Sequence, residues 1–528
     1  MLFAASALWQ HQAVANAIPG NPAATVVPAA DWLGPSPAPF GTKGAGFVSN
    51  LAVGTPWATN TGKWLRRTLT VDGQAGVVLR GQAENACLFF LDGAFIGAVN
   101  LSGANLAAPR TFQLPIRKAL LSEGNHTLAV LCVDEAGGAD GTTWFWAEAD
   151  YMPAVMSLWP SPGFNESVAW LNDVQIFEDG TEEREQLRVS PRHSYRLSAF
   201  VPAADQPSLR HALWGARAAQ WIVPKWPQVQ HVGAVLAGAT QLDLDTRYSE
   251  YAGGGLLVLW QSPSKWQVLG VDAVTSANQL ALTCLTEAFT DAWVMPAHRG
   301  RLENDPQRAF DGRTSRLTAT FQLEENRALT VPAPPQYLGH DVYYDPGLLD
   351  GDRTNEATVR EVDLHDEQLG LVDYRSPWKH SRVSRTHRML ADGPAEAWQV
   401  RQWLHRRAGR LTPFWQPSFE LDLPPVTTGN INVVLRVTEN SYKRFASDRV
   451  HIAIETATGW HLREVLFTLN NESGAIDLRL DTALDEPGTT IKRVCYLALR
   501  RLNADRVELS YPGGLACSCS VPVIDVAP

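Results

Sequence analysis

The residues of this 528-residue chain whose types and spacing could do chemistry are few. Asp350 and Asp352 are followed by Glu361 at the twelfth position of a loop, an echo of a calcium site built on carboxylates at positions one, three and twelve. Position six is Asn355, where the sharp turn wants glycine, so a solvated linker is the reading carried forward and no metal is expected. Glu182, Glu183 and Glu185 offer carboxylates for glycoside cleavage, which needs two acids in a buried cleft. They follow Glu178-Asp179-Gly180, which reads as an exposed turn. Trp144 and Trp146 alternate with Phe145, so both rings share one strand face and could stack on a sugar; core and interface packing is the favoured role. The chain has no G-x-S-x-G, H-E-x-x-H, phosphate-loop or dinucleotide motif. It therefore reads as a non-enzyme without a cofactor.

A basic run carries the other candidate chemistry. Arg375 to Arg410 holds eight Arg and Lys379 against Asp392 and Glu396, a local charge of +7. Arg375, Arg401, Arg406, Arg407 and Arg410 are its candidate contact residues. Nucleic-acid binding is one meaning of such a run; an interface facing acidic neighbours is the other. The whole chain has 45 Lys and Arg against 55 Asp and Glu, a net charge of −10. That balance favours the interface and argues against specific nucleic-acid binding.

The elements that must position these residues are β-rich. Short alternating strands run from Trp64 to about Tyr151, with Asp92-Gly93 as a hairpin turn between Phe89-Phe90-Leu91 and Phe95-Ile96. They predict one β-sandwich. The six cysteines include no C-x-x-C pair; Cys517 and Cys519 are expected on one face of a strand, reduced. Residues 1–30 carry no Lys or Arg, so no secretory leader is expected, and no apolar run is long enough to span a membrane.

The remainder contains one plan twice. Arg192-His193-Ser194-Tyr195-Arg196-Leu197, a helical stretch ending at Trp221 and Pro224-Lys225-Trp226 match Arg385-Thr386-His387-Arg388-Met389-Leu390, a helix from Ala395 to Ala408 and Pro413-Phe414-Trp415. Trp266 matches Trp460, and Arg301-Leu302 matches Arg501-Leu502. The offset grows from 189 at the Trp226–Trp415 match to 194 and then 200, as small loop insertions produce. The expected fold is thus mainly β with α+β repeats. Residues 1–155 form an arm plus sandwich, 156–335 the first copy, and 336–528 a connector and the second copy.

Two resemblances attach to these residues. Arg406-Arg407-Ala408-Gly409-Arg410-Leu411-Thr412-Pro413-Phe414-Trp415, with the chain's close at Arg506 to Gly514, resembles tail-tip and baseplate proteins of tailed bacteriophages (siphophages), of the distal-tail type. The first copy, with Trp214-Gly215-Ala216-Arg217, departs from that motif and is placed by the repeat. Glu84-Asn85, Phe89 to Gly93 and Gly124 to Val130 resemble a galactose-binding-like jelly-roll. The resemblances imply a virion structural protein made in the host cytoplasm. Its partners would be tail tube, hub and neighbouring baseplate subunits. A homotrimer would bridge six-fold and three-fold symmetries, and the sandwich would present a module for a host-surface glycan. The alternative is a secreted carbohydrate-binding protein, or an accessory part of a carbohydrate-active enzyme.

Overall fold

Asp92 and Gly93 turn the chain as their chemistry allows. Their φ values of 50° and 84° close a two-residue hairpin between Ala86–Leu91 and Ala94–Val99. In this computed structural model the chain is mainly β, with 40 strands and three α-helices among the described residues. Those residues are 1–15, 17–34, 36, 42–43, 49–50, 61–101, 110–133, 145–215, 219–325, 329, 331–346, 356–366, 368, 370, 372–378, 381–426, 429–470, 474–513 and 516–526. No helix among them is long and apolar enough to cross a membrane.

The expected sandwich is present as two antiparallel sheets. One orders Gln10–Val14, Gly62–Val71, Gly124–Val133, Ala86–Leu91 and Ala94–Val99; the other orders Phe145–Tyr151, Val77–Ala83 and Arg110–Ile116. Alternate residues of both sheets, among them Leu65, Phe89, Phe112 and Phe145, bury one apolar core.

The pairing registers then trace one plan twice. Ala154–Val155 runs parallel to Trp221–Pro224, which pairs with Phe289–Leu302. Phe289–Leu302 also pairs with Leu256–Ser262, which turns back through Lys265–Ser276 to Gln279–Leu282. Arg192–Val201 pairs with Thr314–Leu323 and is followed by helix α1, Gln206–Gly215. In the second pass His340–Val342 runs parallel to Phe414–Pro417, which pairs with Arg493–Leu502. Arg493–Leu502 pairs with His451–Glu455, which turns back through Trp460–Asn470 to Ala475–Leu480. Arg382–Asp392 pairs with Ala516–Asp525 and is followed by helix α2, Pro394–Arg407.

Register fixes residue equivalence more sharply than composition does. Trp221 faces Gly300 as Phe414 faces Arg500, so Ile222 matches Trp415 and Pro224 matches Pro417. The expected match of Trp226 with Trp415 is therefore wrong by four residues: both segments hold Pro and Trp, but hydrogen bonding aligns Pro224 with Pro417. Ser194 faces Gln322 as Ser384 faces Ile524, which shifts Arg192 onto Arg382 rather than Arg385. The matches of Trp266 with Trp460 and Arg301 with Arg501 agree with the registers. Trp221 opens a strand, and α1 stops at Gly215. Helix α2 starts with Pro394 at its first turn and ends where Ala408 adopts φ 48°.

The contacts divide the chain into two compact units. Unit one is Met1–Phe164, Ser194–Glu325 and Pro512–Leu515; unit two is Asn165–His193, Asn326–Tyr511 and Ala516–Pro528. The sandwich and most of the first copy thus share one unit, where the sequence suggested separate segments. Their contact is close. A methyl group on Gly97 would strike the Thr283 carbonyl, and one on Gly270 the Gln113 carbonyl, so neither position tolerates a side chain. Gln113 accepts from Arg299 at 3.0 and 2.8 Å, and burial pulls that guanidinium down to a pKa of about 10. Asn165–His193 belongs to the first copy in sequence but packs in unit two. Cys517 and Cys519 lie buried on one face of Ala516–Asp525, and all six thiols are free and buried.

Candidate interaction site

The segment Asn165–His193 carries a β-arm. Asn172–Ile176 pairs with Glu182–Gln186, with Ile176 opposite Glu182. Asp179 holds the turn by accepting from Thr181 N at 2.9 Å, and Gly180 supplies the φ of 87°. The arm is mostly exposed, yet the Glu182 side chain is only 2% exposed. Arg501 grips that carboxylate with two bonds, Nε to Oε2 at 2.7 Å and Nη2 to Oε1 at 3.0 Å. Arg382 donates Nη1 to Oε1 at 2.5 Å and Nη2 to the Gly180 carbonyl, while stacking 4.5 Å above the Trp378 ring. Desolvation raises the Glu182 pKa, but the hydrogen bonds and charges of Arg501 and Arg382 outweigh it, and the net shift is downward.

At the arm's root, Asp505 accepts from Asn172 Nδ2 at 2.7 Å, Arg410 N at 2.9 Å and Arg410 Nε at 3.0 Å. Arg410 Nη2 donates to the Asn172 carbonyl at 2.9 Å, and Asn172 Nδ2 reaches the Ala408 carbonyl at 2.7 Å. The left-handed end of α2 thus presents the very carbonyl that anchors the arm. Deeper in, the fully buried Glu166 lies 3.1 Å from Arg401 Nη2 and 3.2 Å from His193 Nδ1.

This geometry revises the basic run. Arg401, Arg406, Arg407 and Arg410 do face acids, but the acids belong to the same unit: Glu166, Asp341 and Asp505. Asp341 takes Arg406 at 2.5 and 2.8 Å and also binds Arg407, which is 1% exposed. Arg375 stands apart, exposed on the strand Asp373–Arg375. Glu182, read as part of an exposed turn, is the arm's principal anchor. Asn172, Glu166 and Asp505 carried no local signal. Only the +7 imbalance of the run implied that anions must come from elsewhere in the chain.

The other sequence candidates fare differently. Trp146 is 1% exposed with Nε1 donating to Gln82 at 3.2 Å, so its ring is core and offers no sugar platform. Trp144, Asp350, Asp352 and Lys379 lie outside the described residues. Glu361 is exposed, and no cluster of three His, Cys, Asp or Glu among the described residues is grouped to hold a metal. A cavity of about 690 Å³ in unit one contains Glu287, which is bound to Arg117 at 2.9 Å and Lys265 at 3.2 Å. A buried triad in the same unit joins Glu250 to Lys225 and His298, each at 2.9 Å.

Asp341 gives the site a pH dependence. Burial pushes its pKa up, but Arg406 and Arg407 pull it from 3.8 to about 2. A depressed folded-state pKa contributes stability above the unfolded value and loses it as pH falls toward the folded one. The stability gap between wild type and Asp341→Asn should therefore shrink as pH drops from about 4 to about 2. Denaturant titrations at several pH values check this; a gap that stays constant would remove Asp341 as the cause.

No protein-family model and no curated protein matches the chain. Among solved structures it is similar to the beta-glucuronidase of Faecalibacterium prausnitzii, at 13% identity and a TM-score of 0.20. That similarity covers 36% of this chain and 43% of the glucuronidase, so the chain spans less than half of that protein, and a score so low carries no argument about function.

Proposed function

We propose that the chain is a structural protein of a bacteriophage tail tip or baseplate, joining tail tube to hub as a ring-forming subunit. The observation that carries this reading is the strand-for-strand duplication, with one chain holding two domains of the same pairing plan. A junction between a six-fold tube and a three-fold hub needs such a part: three chains present six quasi-equivalent domains. The two copies need not be identical, because the hub side sees only three-fold symmetry. The divergence of Gly300 from Arg500 at one register position fits that freedom. The sandwich, locked to the first copy through Gln113 and Arg299, serves in this reading as a rigid part of the ring. Cryo-microscopy of the virion tests the proposal. Three chains around the tail axis are expected; six chains in one ring, a single off-axis copy, or absence from the virion would overturn it.

A further inference from the structure

The second copy has an arm of its own. Asp363–His365 pairs with Asp373–Arg375, and the hairpin lies between Glu356–Val359 and Arg382–Asp392. This is the place in the plan that Asn172–Gln186 occupies in the first copy, ahead of Arg192–Val201. Every residue of its two strands is exposed. It shows apolar groups to solvent: Leu364 is 58% exposed and Tyr374 70%, and Val362, just ahead of its first strand, 47%. Exposed apolar groups gathered on one projecting element mark an interaction surface.

We propose that this second arm is an assembly element that seats on the first-copy domain of a second copy of this chain. The template is the first arm, already seated in unit two. Four charged groups anchor it there, Arg501, Arg382, Asp505 and Arg410, and the first copy holds the first three at the equivalent positions. Arg301 stands where Arg501 does, each facing the residue that pairs with the first copy's Ser194 or the second copy's Ser384. Arg192 precedes Ser194 by two residues as Arg382 precedes Ser384, and Asp305 follows Leu302 by three as Asp505 follows Leu502. Arg301 is 56% exposed while holding Glu324 at 2.7 Å, and Arg192 is exposed. The arms match as well. Glu182 opens the return strand of the first arm opposite Ile176, and Asp373 opens that of the second opposite His365. A carboxylate is thus carried to the same point on both hairpins, and in the docked state Asp373 meets Arg301 and Arg192. Each chain donates one arm and receives one, a head-to-tail contact that closes into a ring or runs on as a filament. Closure at three chains rests on the function proposed above; the arm contact does not.

Disulfide trapping in the full-length chain tests the inference. All six native thiols are buried, so the wild type provides a background. E182C/R501C should link within one chain and shows that the arm geometry supports a bond. R301C/D373C should link between chains, giving oxidised multimers on a non-reducing gel. A monomeric product, whether unlinked or linked internally, overturns the proposal. A charge exchange gives a second readout by light scattering. D373R is expected to weaken association at least tenfold, and R301D/D373R to recover most of it; equal association of all three proteins would also overturn it. Interchain links in a dimer or filament would keep the arm contact and sink the trimeric ring. A trimeric ring in the virion without links at this pair would do the reverse.

Discussion

Glu182→Ala should destabilise unit two by roughly 3–5 kcal/mol, the range for removing one member of a buried ion pair. The size follows from what is left behind. The Arg382 and Arg501 side chains are 7% and 3% exposed, and both aim at the one carboxylate. Without it, two desolvated guanidiniums confront each other with no counter-charge. Glu183→Ala on the neighbouring, exposed position should change stability by less than about 0.5 kcal/mol. Denaturant unfolding followed by tryptophan fluorescence separates the two. If both variants unfold alike, the arm is not held by this carboxylate. The sign with pH is fixed: the Glu182 pKa is depressed on folding, so its contribution is present above the ordinary glutamate range and lost as pH falls.

Trp415→Ala should cost about 3–5 kcal/mol, because the ring is 2% exposed and its removal leaves a cavity. The duplication sharpens the prediction. Trp415 packs with Val342, Ala453 and Leu497; at the matching positions the first copy has Ile222 with Val155, Val258 and Ala297. A large ring beside a small alanine in one copy is answered by isoleucine beside valine in the other, a volume exchange within one plan. Trp415→Ile alone should therefore be destabilising, and adding Ala453→Val should recover part of the loss. A double-mutant cycle measures the coupling, expected at about 0.5–3 kcal/mol for residues in contact. Strict additivity would mean that the two cores are not equivalent.

Much of the architecture was legible because β-structure leaves local marks. Alternation gave the sandwich strands, Asp92-Gly93 gave their hairpin, and the apolar spacing of Ala397, Trp398, Val400, Trp403 and Leu404, stopped by Gly409, gave α2 to within one residue at each end. The duplication was legible through Trp266 with Trp460 and Arg301 with Arg501. Its register was not, because Pro and Trp recur at neighbouring positions and only hydrogen-bond pairing distinguishes Pro224–Pro417 from Trp226–Trp415. The site was hidden for a different reason. Glu182 and Arg501 are 319 residues apart, so neither segment reveals its partner. A carboxylate after Glu178-Asp179-Gly180 reads as solvated until the distant arginines are placed. Trp146 lies in the core, the role favoured for it, although alternating aromatic residues alone mark a strand face without saying whether that face meets solvent or core.

The arm's distance from its body has a consequence for synthesis. Asn165–His193 leaves the ribosome long before Arg382, Arg410, Arg501 and Asp505 exist, so unit two cannot close until the last strands emerge. Contacts of such sequence separation slow folding, because the loop must be ordered before any bond forms. During that wait the nascent arm, with Ile176 and Phe177 about half exposed even when folded, is an unsatisfied hairpin. A chain interrupted after Glu325 would strand it permanently. Its missing half could then be supplied only in trans, by a separately made fragment beginning at Asn326. The two pieces would complement one another as a split protein, with the arm as the clasp that reunites them.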